Sequence, residues 1–279
     1  MNVDYSSAVE TARNYYNSDD ADNFYHRVWG GEDIHIGLYE HEGEPISHAS
    51  RRTVAHMADL LDELSPGDRV LDLGAGYGGA ARYLAQNFGC RVVALNLSEV
   101  ENSRHREKNL AEQLYRLIDV VDGSFESVPF DDASFSVVWS QDAFLHSGDR
   151  QRVIAEAARV LQPGGRLIFT DPMQADGCPA EVLRPVLERL HLSSLGSPAF
   201  YRDACRAHGL EETGFEDHTP QLARHYARVR AELEARDAEL APWVSAGYRQ
   251  RMLEGLQHWV DAGNAGHLCW GVFRFRRPD

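Results

Sequence analysis

The stretch R-V-L-D-L-G-A-G-Y-G-G at residues 69–79 constrains the fold of this chain more than any other segment. Its first half is a nearly continuous apolar run, typical of a parallel strand buried on both faces, and glycines then interrupt it. Glycine tolerates positive φ and lets a ligand lie against the backbone, while the amides that begin a following helix favour an anionic or polar group. The pattern predicts a nucleotide-type pocket. Because tight turns of other α/β proteins use the same letters, this prediction depends on the rest of the chain.

The composition indicates a globular protein whose partner is a small molecule. The 279 residues, 43% of them hydrophobic, suffice for one α/β domain with additions or for two domains. A formal net charge of −15 argues against nucleic acid or an anionic membrane surface as the main partner, because both are negatively charged. We expect neither a signal peptide nor a membrane span, since no apolar stretch approaches ~20 residues. The scattered cysteines lack a C-x-x-C pair, which predicts free thiols in a reducing cytoplasm.

Apolar runs and helical periodicities alternate along most of the chain. Strands are predicted near 69–73, 90–95, 118–122, 136–140 and 166–170, with amphipathic helices between them. Past residue 174 we expect a helical segment, a sixth strand near 211–217, long helices near 220–240 and 245–262, and a final strand near 266–275. The alternation predicts an α/β fold whose ligand lies at the C-terminal ends of parallel strands.

The N-terminal segment is dense in aromatic residues and histidines but shows no clear strand pattern. Rings and glycine hinges mix in the run at residues 24–37, a composition suited to a lid that closes over a pocket. The alternative is an N-terminal helix packed on the core.

Polar residues follow the second and third predicted strands. Asn96 ends the second strand, where nucleotide-binding units usually carry an acid that accepts from the ribose hydroxyls. Its side-chain carbonyl retains that ability, although Asn96 equally suits the start of the next helix. In the turn after the third strand, Asp122 is a candidate acceptor for an adenine amine and Phe125 a cover for the ring. The alternative is an ordinary Asp-Gly turn.

Taken together, L-D-L-G-A-G-Y-G-G, N-L-S, the Asp122 turn and L-Q-P-G-G-R-L resemble class I S-adenosylmethionine-dependent methyltransferases over residues 50–275. A more particular resemblance comes from residues 24–39, from S-Q-D-A-F-L-H-S at 140–147, from T-D-P-M at 170–173 and from the cap at 185–201. These segments are similar to sarcosine/dimethylglycine N-methyltransferases, which make glycine betaine, and more distantly to phosphoethanolamine N-methyltransferases. The implied fold is a Rossmann-like seven-stranded sheet, mostly parallel with its last strand antiparallel, carrying an N-terminal lid and a helical cap.

The resemblance also implies roles for individual residues. A lid tyrosine, Tyr16 or alternatively Tyr25, and His146 would lock over the substrate, and Arg189 of the cap would hold the substrate anion. The other residues expected at the substrate are His191, Asp171 and Met173. The residues expected at the cofactor are Trp29, Asp72, Gly74, Gly76, Asn96, Leu97, Asp122, Ser124, Phe125 and Gln141. Pro172 replaces the tyrosine of the phosphoethanolamine enzymes, which disfavours that substrate.

The expected chemistry is an in-line methyl transfer from a sulfonium to a neutral amine, which depends on positioning and on exclusion of water and requires no metal. His146 would relay the ammonium proton or position the substrate. Aromatic rings would surround a quaternary ammonium product through cation–π contacts, the candidates being Tyr16, Tyr25, Trp29 and Tyr39. Arg189 would bind the carboxylate through its guanidinium fork, unless it pairs with Glu188 or another acidic neighbour.

We therefore expect an enzyme that methylates sarcosine and dimethylglycine to glycine betaine, with S-adenosylmethionine as methyl donor. The alternatives are methylation of another small amine, such as phosphoethanolamine or glycine, and a cofactor-binding protein without turnover. The predicted units are a lid at 1–49, a cofactor-binding core at 50–175, and substrate cap helices with the last two sheet strands at 176–279. The acidic surface would suit an osmolyte producer living in salt.

Overall fold

The computed structural model describes residues 5–279, including all their side chains except that of residue 180. Its nine strands are β1 (Arg69–Leu73), β2 (Arg91–Asn96), β3 (Ile118–Asp122), β4 (Phe135–Gln141), β5 (Leu161–Thr170), β6 (Met173–Gln174), β7 (Glu211–Asp217), β8 (Leu268–Cys269) and β9 (Gly271–Arg276). Seven of them form one sheet in the order β3-β2-β1-β4-β5-β9-β7, and β6 pairs with β8.

The sheet confirms the predicted fold class. Strands β1 to β5 pair in parallel, whereas β9 runs antiparallel to both of its neighbours, β5 and β7. Val70, Leu71 and Leu73 are all buried, because apolar clusters cover both faces of the sheet. This is the Rossmann-like arrangement that the apolar run before the glycine turn predicts.

The helices flank the sheet or form the segments above it. They are α1 (Ser7–Tyr16), α2 (Asp19–Arg27), α3 (Ile46–Asp59), α4 (Gly79–Phe88), α5 (Glu99–Ala111), α6 (Arg150–Val160), α7 (Arg184–Arg189), α8 (Pro198–Ala207), α9 (Thr219–Ala235), α10 (Asp237–Leu240) and α11 (Ala246–Asn264). Short 3₁₀ turns cover Phe144–His146 and Ala180–Leu183. Among the described helices, none is both long and apolar enough to cross a membrane.

Local sequence explains where the helix beside the ligand edge begins. Ser98 caps α5 by accepting a hydrogen bond from the Glu101 amide at 3.2 Å. Ser98 lies two residues after Asn96, the last residue of β2, and α5 begins at the next residue, Glu99. Side chains of the first turn of α5 therefore lie next to the C-terminal end of β2.

The lid comprises α1, α2 and the segment that leads to α3. Charged contacts attach it to the core: Arg13 Nε lies 2.9 Å from Glu99 Oε1, and Glu32 contacts both Arg82 and Lys108. Residues 1–4 of the predicted lid lie outside the described residues. The predicted boundary at residue 49 falls inside α3, which is one continuous helix from Ile46, and the division into lid, core and cap stays a prediction.

The cap is built from α7, α9, α10 and α11, which pack with the lid around one apolar cluster. Trp259 of α11 is fully buried there and donates from Nε1 to the Val186 carbonyl of α7 at 3.1 Å. The chain then returns to the sheet through β9. Lid and cap thus share a hydrophobic core above the ligand edge of the sheet.

Candidate active site

A cleft lies at the C-terminal ends of β1 to β4, beneath the lid. Its core side is formed by the turn after β1, the end of β2, the turn after β3 and the end of β4, the edge at which open parallel sheets bind ligands. We call it the strand-end cleft, and its lining residues are Val9, Ala12, Arg13, Tyr16, Ile34, Gly74, Gly76, Asn96, Leu97, Ser98, Glu101, Ser124, Phe125, Gln141, Asp142, Ala143 and His146. Those that the sequence analysis assigned to the cofactor are Gly74, Gly76, Asn96, Leu97, Ser124, Phe125 and Gln141, and that assignment stays a prediction.

The glycine turn after β1 requires a residue without a side chain. Gly74 has a φ of 80°, and a Cβ at this position would lie 2.4 Å from the Cβ of Ala143. An L-residue is therefore disfavoured both by its backbone conformation and by the segment after β4. Glycine here leaves the backbone bare on one wall of the strand-end cleft.

The end of β2 carries an amide–carboxylate pair. Asn96 donates from Nδ2 to Glu101 Oε2 at 2.9 Å, and both residues line the strand-end cleft. Glu101 is 3% exposed, and burial raises the pKa of its carboxyl to about 7. Its second oxygen, Oε1, has no hydrogen-bond partner among the described residues.

Asp72, the acidic residue of the glycine motif, lines a smaller cavity that adjoins the strand-end cleft at Gly74 and Gly76. It is buried, and Oδ2 has no hydrogen-bond partner within residues 5–279. Burial raises the pKa of this carboxyl to about 7. His35 of the lid lines the same cavity, and its Nε2 also lacks a partner in that range. Asp72 Oδ2 and His35 Nε2 can therefore each form a hydrogen bond with a ligand at this end of the cleft.

A second cavity, the inner chamber, lies between the lid and the cap. Its lining residues are Tyr16, Tyr25, Trp29, Ile34, His35, Ile36, Asp142, Leu145, His146, Pro172, Arg189, Leu190 and Tyr226. Tyr16, Ile34, Asp142 and His146 line both this chamber and the strand-end cleft. The two spaces are therefore adjacent, as a donor site and an acceptor site must be for direct group transfer.

Tyr16 and His146 meet across the boundary between the two spaces. The Tyr16 hydroxyl lies 2.8 Å from His146 Nε2, joining α1 of the lid to the 3₁₀ turn after β4. Burial, reinforced by the positive charges of Arg189 and Arg150, lowers the pKa of His146 to about 3. Burial also raises the pKa of Tyr16 well above its usual value. Both groups are therefore neutral near pH 7.

Arg189 of α7 brings a guanidinium into the inner chamber. The Cζ atom lies 5.2 Å from the Tyr226 ring centroid and 5.3 Å from that of Trp259, a cation–π arrangement. No carboxylate of the described residues forms a salt bridge with it, and its buried Nε and Nη1 atoms have no hydrogen-bond partner there. Glu188 instead lies 3.8 Å from Arg184, so the alternative Glu188 pairing is wrong.

Two residues assigned to the substrate are occupied within the scaffold, and their assignment stays a prediction. Asp171 is fully buried, accepting from the Tyr201 hydroxyl at 2.6 Å and from the Leu145 amide at 3.0 Å. It holds the turn that carries His146 without lining the inner chamber. Met173 is also fully buried, in the apolar cluster on one face of the sheet.

Two residues assigned to the cofactor do not line the strand-end cleft, and their assignment stays a prediction. Trp29 lines the inner chamber rather than the strand-end cleft, because the lid backbone holds its indole through a hydrogen bond to the His35 carbonyl at 3.3 Å. Asp122 is absent from the cleft lining, and residues of α5 bind its carboxylate. Its carboxylate accepts from Asn102 Nδ2 at 2.8 Å and from Arg106 at 2.7 Å.

His191 and Tyr39 lie outside the inner chamber. His191 has a φ of 55° and lines an outer cavity together with Arg189, with its ring against Tyr15. The Tyr39 hydroxyl forms a hydrogen bond with His225 Nδ1 at 2.9 Å in the core. The aromatic wall of the chamber contains Tyr226 and does not contain Tyr39, for which the sequence predicts that position.

Three residues that line these cavities, Glu101, His35 and Tyr226, are not predicted from the sequence. For Glu101 a signal existed: it lies in the first turn of the helix that Ser98 caps, directly after the strand end. For the other two, no local pattern distinguishes a chamber residue from a core residue.

Within the described residues, one group of side chains has the composition and spacing of a metal site: His56, Glu216 and His218. His56 Nε2 lies 2.7 Å from Glu216 Oε2, and none of the three lines the strand-end cleft or the inner chamber.

The parallel sheet, the glycine turn and the cleft at the strand ends define a class I S-adenosylmethionine-dependent methyltransferase. The family model described as a methyltransferase domain matches residues 71–169, which span β1 to β5.

Relatives narrow the class further. The sarcosine/dimethylglycine N-methyltransferase of Halorhodospira halochloris is 60% identical over 270 residues, covering 97% of each chain. The enzyme of the same name from Aphanothece halophytica is 50% identical over 272 residues, covering 98% of each. A solved structure from Galdieria sulphuraria, whose description names a sarcosine dimethylglycine methyltransferase, is 43% identical with a TM-score of 0.90 and covers 95% of this chain and 99% of its own. This chain belongs to the sarcosine/dimethylglycine N-methyltransferase family.

Proposed function

We propose that this protein transfers methyl groups to the nitrogen of sarcosine and of dimethylglycine, giving glycine betaine. The observation that carries the proposal is Arg189, whose buried Nε and Nη1 atoms lack a partner among the described residues at an aromatic chamber beside the strand-end cleft. The names of the relatives described above support the same substrates.

The strand-end cleft suits S-adenosylmethionine. The backbone is bare at Gly74, and acceptor capacity remains open at Asp72 Oδ2 and Glu101 Oε1. An ionised Asp72 would attract an ammonium, and the ring of Phe125 offers an apolar face for a base. When bound, this cofactor supplies a methyl group on a positively charged sulfur.

The inner chamber suits a small amino acid with an alkylated nitrogen. Arg189 would bind the carboxylate through two charge-assisted hydrogen bonds. The rings of Tyr16, Tyr25, Trp29 and Tyr226 would surround the amine end and attract the positive charge that the nitrogen carries after methyl transfer.

Neutral side chains make this chamber tolerant of cations. Because its pKa is lowered to about 3, His146 carries no charge that would repel a methylated ammonium. The Tyr16–His146 hydrogen bond holds the lid over the boundary of the two cavities, which excludes water and fixes the acceptor. We assign these residues to positioning, with Tyr25 completing the aromatic wall.

A phosphorylated amine fits the chamber less well. A phosphate group calls for several cations, whereas Arg189 is the one arginine or lysine among the described residues that line the chamber. Methylation of glycine and cofactor binding without turnover are the remaining alternatives.

We further propose that residues up to 45 act as a lid over the two cavities and that the cap completes the substrate site, the two packing around one apolar cluster. Glycine betaine is an osmolyte, so osmoprotection would be the physiological role. The cytoplasm is the proposed location, because the four cysteines are all free thiols.

Incubation of the purified protein with methyl-labelled S-adenosylmethionine and, separately, glycine, sarcosine, dimethylglycine or phosphoethanolamine tests the proposal. We expect label in the products of sarcosine and dimethylglycine. Label in phosphoethanolamine alone would overturn the substrate assignment. Calorimetric binding of S-adenosylhomocysteine without label in any acceptor would identify a non-catalytic binding protein.

A further inference from the structure

We propose that Glu101 accepts hydrogen bonds from the ribose hydroxyls of the cofactor, with Asn96 as the residue that positions it. In nucleotide-binding βαβ units an acidic residue at the end of the second strand usually has this role. Here β2 ends in Asn96, whose side chain is an amide, and the nearby carboxylate is that of Glu101 in the first turn of α5. The inference rests on the proposed function, because it assumes an adenosyl cofactor in the strand-end cleft.

The carboxylate is held in one orientation. Glu101 Oε2 accepts from Asn96 Nδ2 at 2.9 Å, while the Glu101 amide is bound by Ser98 Oγ at 3.2 Å. The backbone of Asn96 is itself fixed at the sheet, since its backbone carbonyl accepts hydrogen bonds from Asn102 Nδ2 at 3.0 Å and from the Gly123 amide at 3.1 Å. The side chain is therefore preorganised before any ligand binds.

One oxygen of this carboxylate remains available. Glu101 is 3% exposed, yet Oε1 has no hydrogen-bond partner in the described part of the chain. A buried polar atom without a partner is costly, which marks a position for a donor group. Hydroxyl groups of a ligand would supply that donor.

The position within the cleft favours the ribose over other parts of the cofactor. Gly74 and Asp72 lie at the β1 end of the cleft, where polar capacity for an amino-acid group is open. Ser124 and Phe125 follow β3, two strands away in the sheet, where a base can stack. Asn96 and Glu101 lie at β2, between these two ends.

Binding should also change the protonation of Glu101. Burial raises the pKa of its carboxyl to about 7, and two hydroxyl donors favour the ionised form, so binding below that pH releases a proton. The titratable groups that face Glu101 from the lid and from the glycine turn are Tyr16, Asp22 and Tyr77. Asp22 is already paired with Arg104 and opposes ionisation of Glu101.

The test compares ligand and protein changes in one cycle. Calorimetry measures binding of S-adenosylhomocysteine and its 2′-deoxy and 3′-deoxy analogues to the wild type and to Glu101→Gln. Glu107→Gln is the matched control, because it removes the same charge from an exposed position of α5. In the wild type, loss of a hydroxyl should weaken binding about ten- to hundredfold. Glu101→Gln should weaken binding of S-adenosylhomocysteine by a similar factor. Removal of a ribose hydroxyl should then weaken binding to this variant far less than it weakens binding to the wild type.

A second readout needs no variant. 5′-Methylthioadenosine carries the ribose but no amino-acid group, so it leaves Asp72 aside. Its binding to the wild type at pH 6.5, measured in buffers of different ionisation enthalpy, should release a fraction of a proton, and 2′,3′-dideoxy analogues should release none.

Two results would overturn the inference alone: Glu101→Gln binding S-adenosylhomocysteine as tightly as the wild type with its hydroxyl dependence intact, or proton release that is the same without the hydroxyls. A wild type that binds none of these ligands would instead remove the proposed function, and this inference with it.

Discussion

The Tyr16 hydroxyl lies 2.8 Å from Nε2 of His146, although 130 residues separate them in the chain. This hydrogen bond joins the lid to the turn after β4 at the boundary between the strand-end cleft and the inner chamber. Its two partners are neutral near pH 7, because burial lowers the pKa of His146 and raises that of Tyr16.

Removing either partner should slow catalysis by loosening the lid. We expect Tyr16→Phe and His146→Ala each to lower kcat/KM for dimethylglycine about ten- to hundredfold, the effect of losing a buried hydrogen bond of ~1.4–2.7 kcal/mol. Steady-state kinetics of the double variant completes a cycle, and its loss should be smaller than the product of the single losses. Tyr83→Phe, on α4 outside both cavities, is the control. Full activity of His146→Ala would make the histidine purely structural.

Arg189 should determine affinity for the carboxylate. Replacement by Met removes the cation and should raise KM for dimethylglycine at least about a hundredfold, and replacement by Lys should recover only part of it because the fork is lost. Arg184→Met is the matched control, since Arg184 lies on the same helix with 82% of its side chain exposed. An unchanged KM in Arg189→Met would place the carboxylate elsewhere.

Gly255 of α11 sets the position of Arg189. A Cβ on Gly255 would lie 2.6 Å from both Cγ and Cδ of Arg189, closer than packed carbon atoms approach. Gly255→Ala should displace the guanidinium and raise KM for the amino acid while leaving the Kd of S-adenosylhomocysteine unchanged. Gly247→Ala tests helix propensity alone, because its Cβ would lie 3.4 Å from the nearest atom, the Nη1 of Arg251. Equal kinetics in the two variants would contradict this account.

Glu32 should stabilise the fold by neutralising a buried guanidinium. The Arg82 side chain is 2% exposed, and its Nε donates to Glu32 Oε1 at 2.7 Å. Glu32→Gln should cost about 3 kcal/mol, because it leaves a buried charge without its main counterion. At about 2–4 °C per kcal/mol, Tm should fall by roughly 6–12 °C in calorimetry. Glu234→Gln, which breaks a partly exposed pair with Arg230, should lower Tm far less.

Two buried histidines, His105 and His146, should contribute a loss of unfolding free energy as the pH falls. The pKa of His105 and that of His146 are both lowered to about 3 by burial, against 6.5 for an ordinary histidine. Below pH 6.5 the unfolded chain binds protons at these two positions that the folded protein does not, so the histidine contribution to stability falls as pH falls from 6.5 towards 3. Each histidine contributes up to about 1.4 kcal/mol per pH unit. The buried carboxyls of Asp72 and Glu101, whose pKa is raised to about 7, contribute in the opposite direction.

Urea unfolding at pH 7.5, 6.5 and 5.5 measures that slope. His146→Asn should show a shallower pH dependence than the wild type, and the exposed His208→Asn serves as the control. Identical slopes for the wild type and His146→Asn would exclude His146 as a source.

Local sequence predicts the cofactor half of the molecule well, because its features are short-range. The run Val70–Leu73 identifies a doubly buried strand, and the glycine at position 74 identifies the turn. At Asp122 the turn lies where the sequence predicts it, and the carboxylate contacts Asn102 and Arg106 of α5, which local sequence does not predict. A strand end can be predicted from sequence, but which way its side chain points depends on the helix packed beside it.

The sequence by itself determined the sheet, the glycine turn and the class of cofactor, since periodicity and turn chemistry act over a few residues. Only the tertiary structure decided which distant side chains meet. The Tyr16 hydroxyl contacts His146, and the Arg189 guanidinium lies against the rings of Tyr226 and Trp259. Trp29 lines the inner chamber, whereas the sequence predicted it at the cofactor. The tertiary structure also put the open carboxylate on Glu101 rather than at the strand end. These contacts arise from the packing of the lid and cap on the core, whose apolar cluster joins residues far apart in the chain and leaves no local pattern.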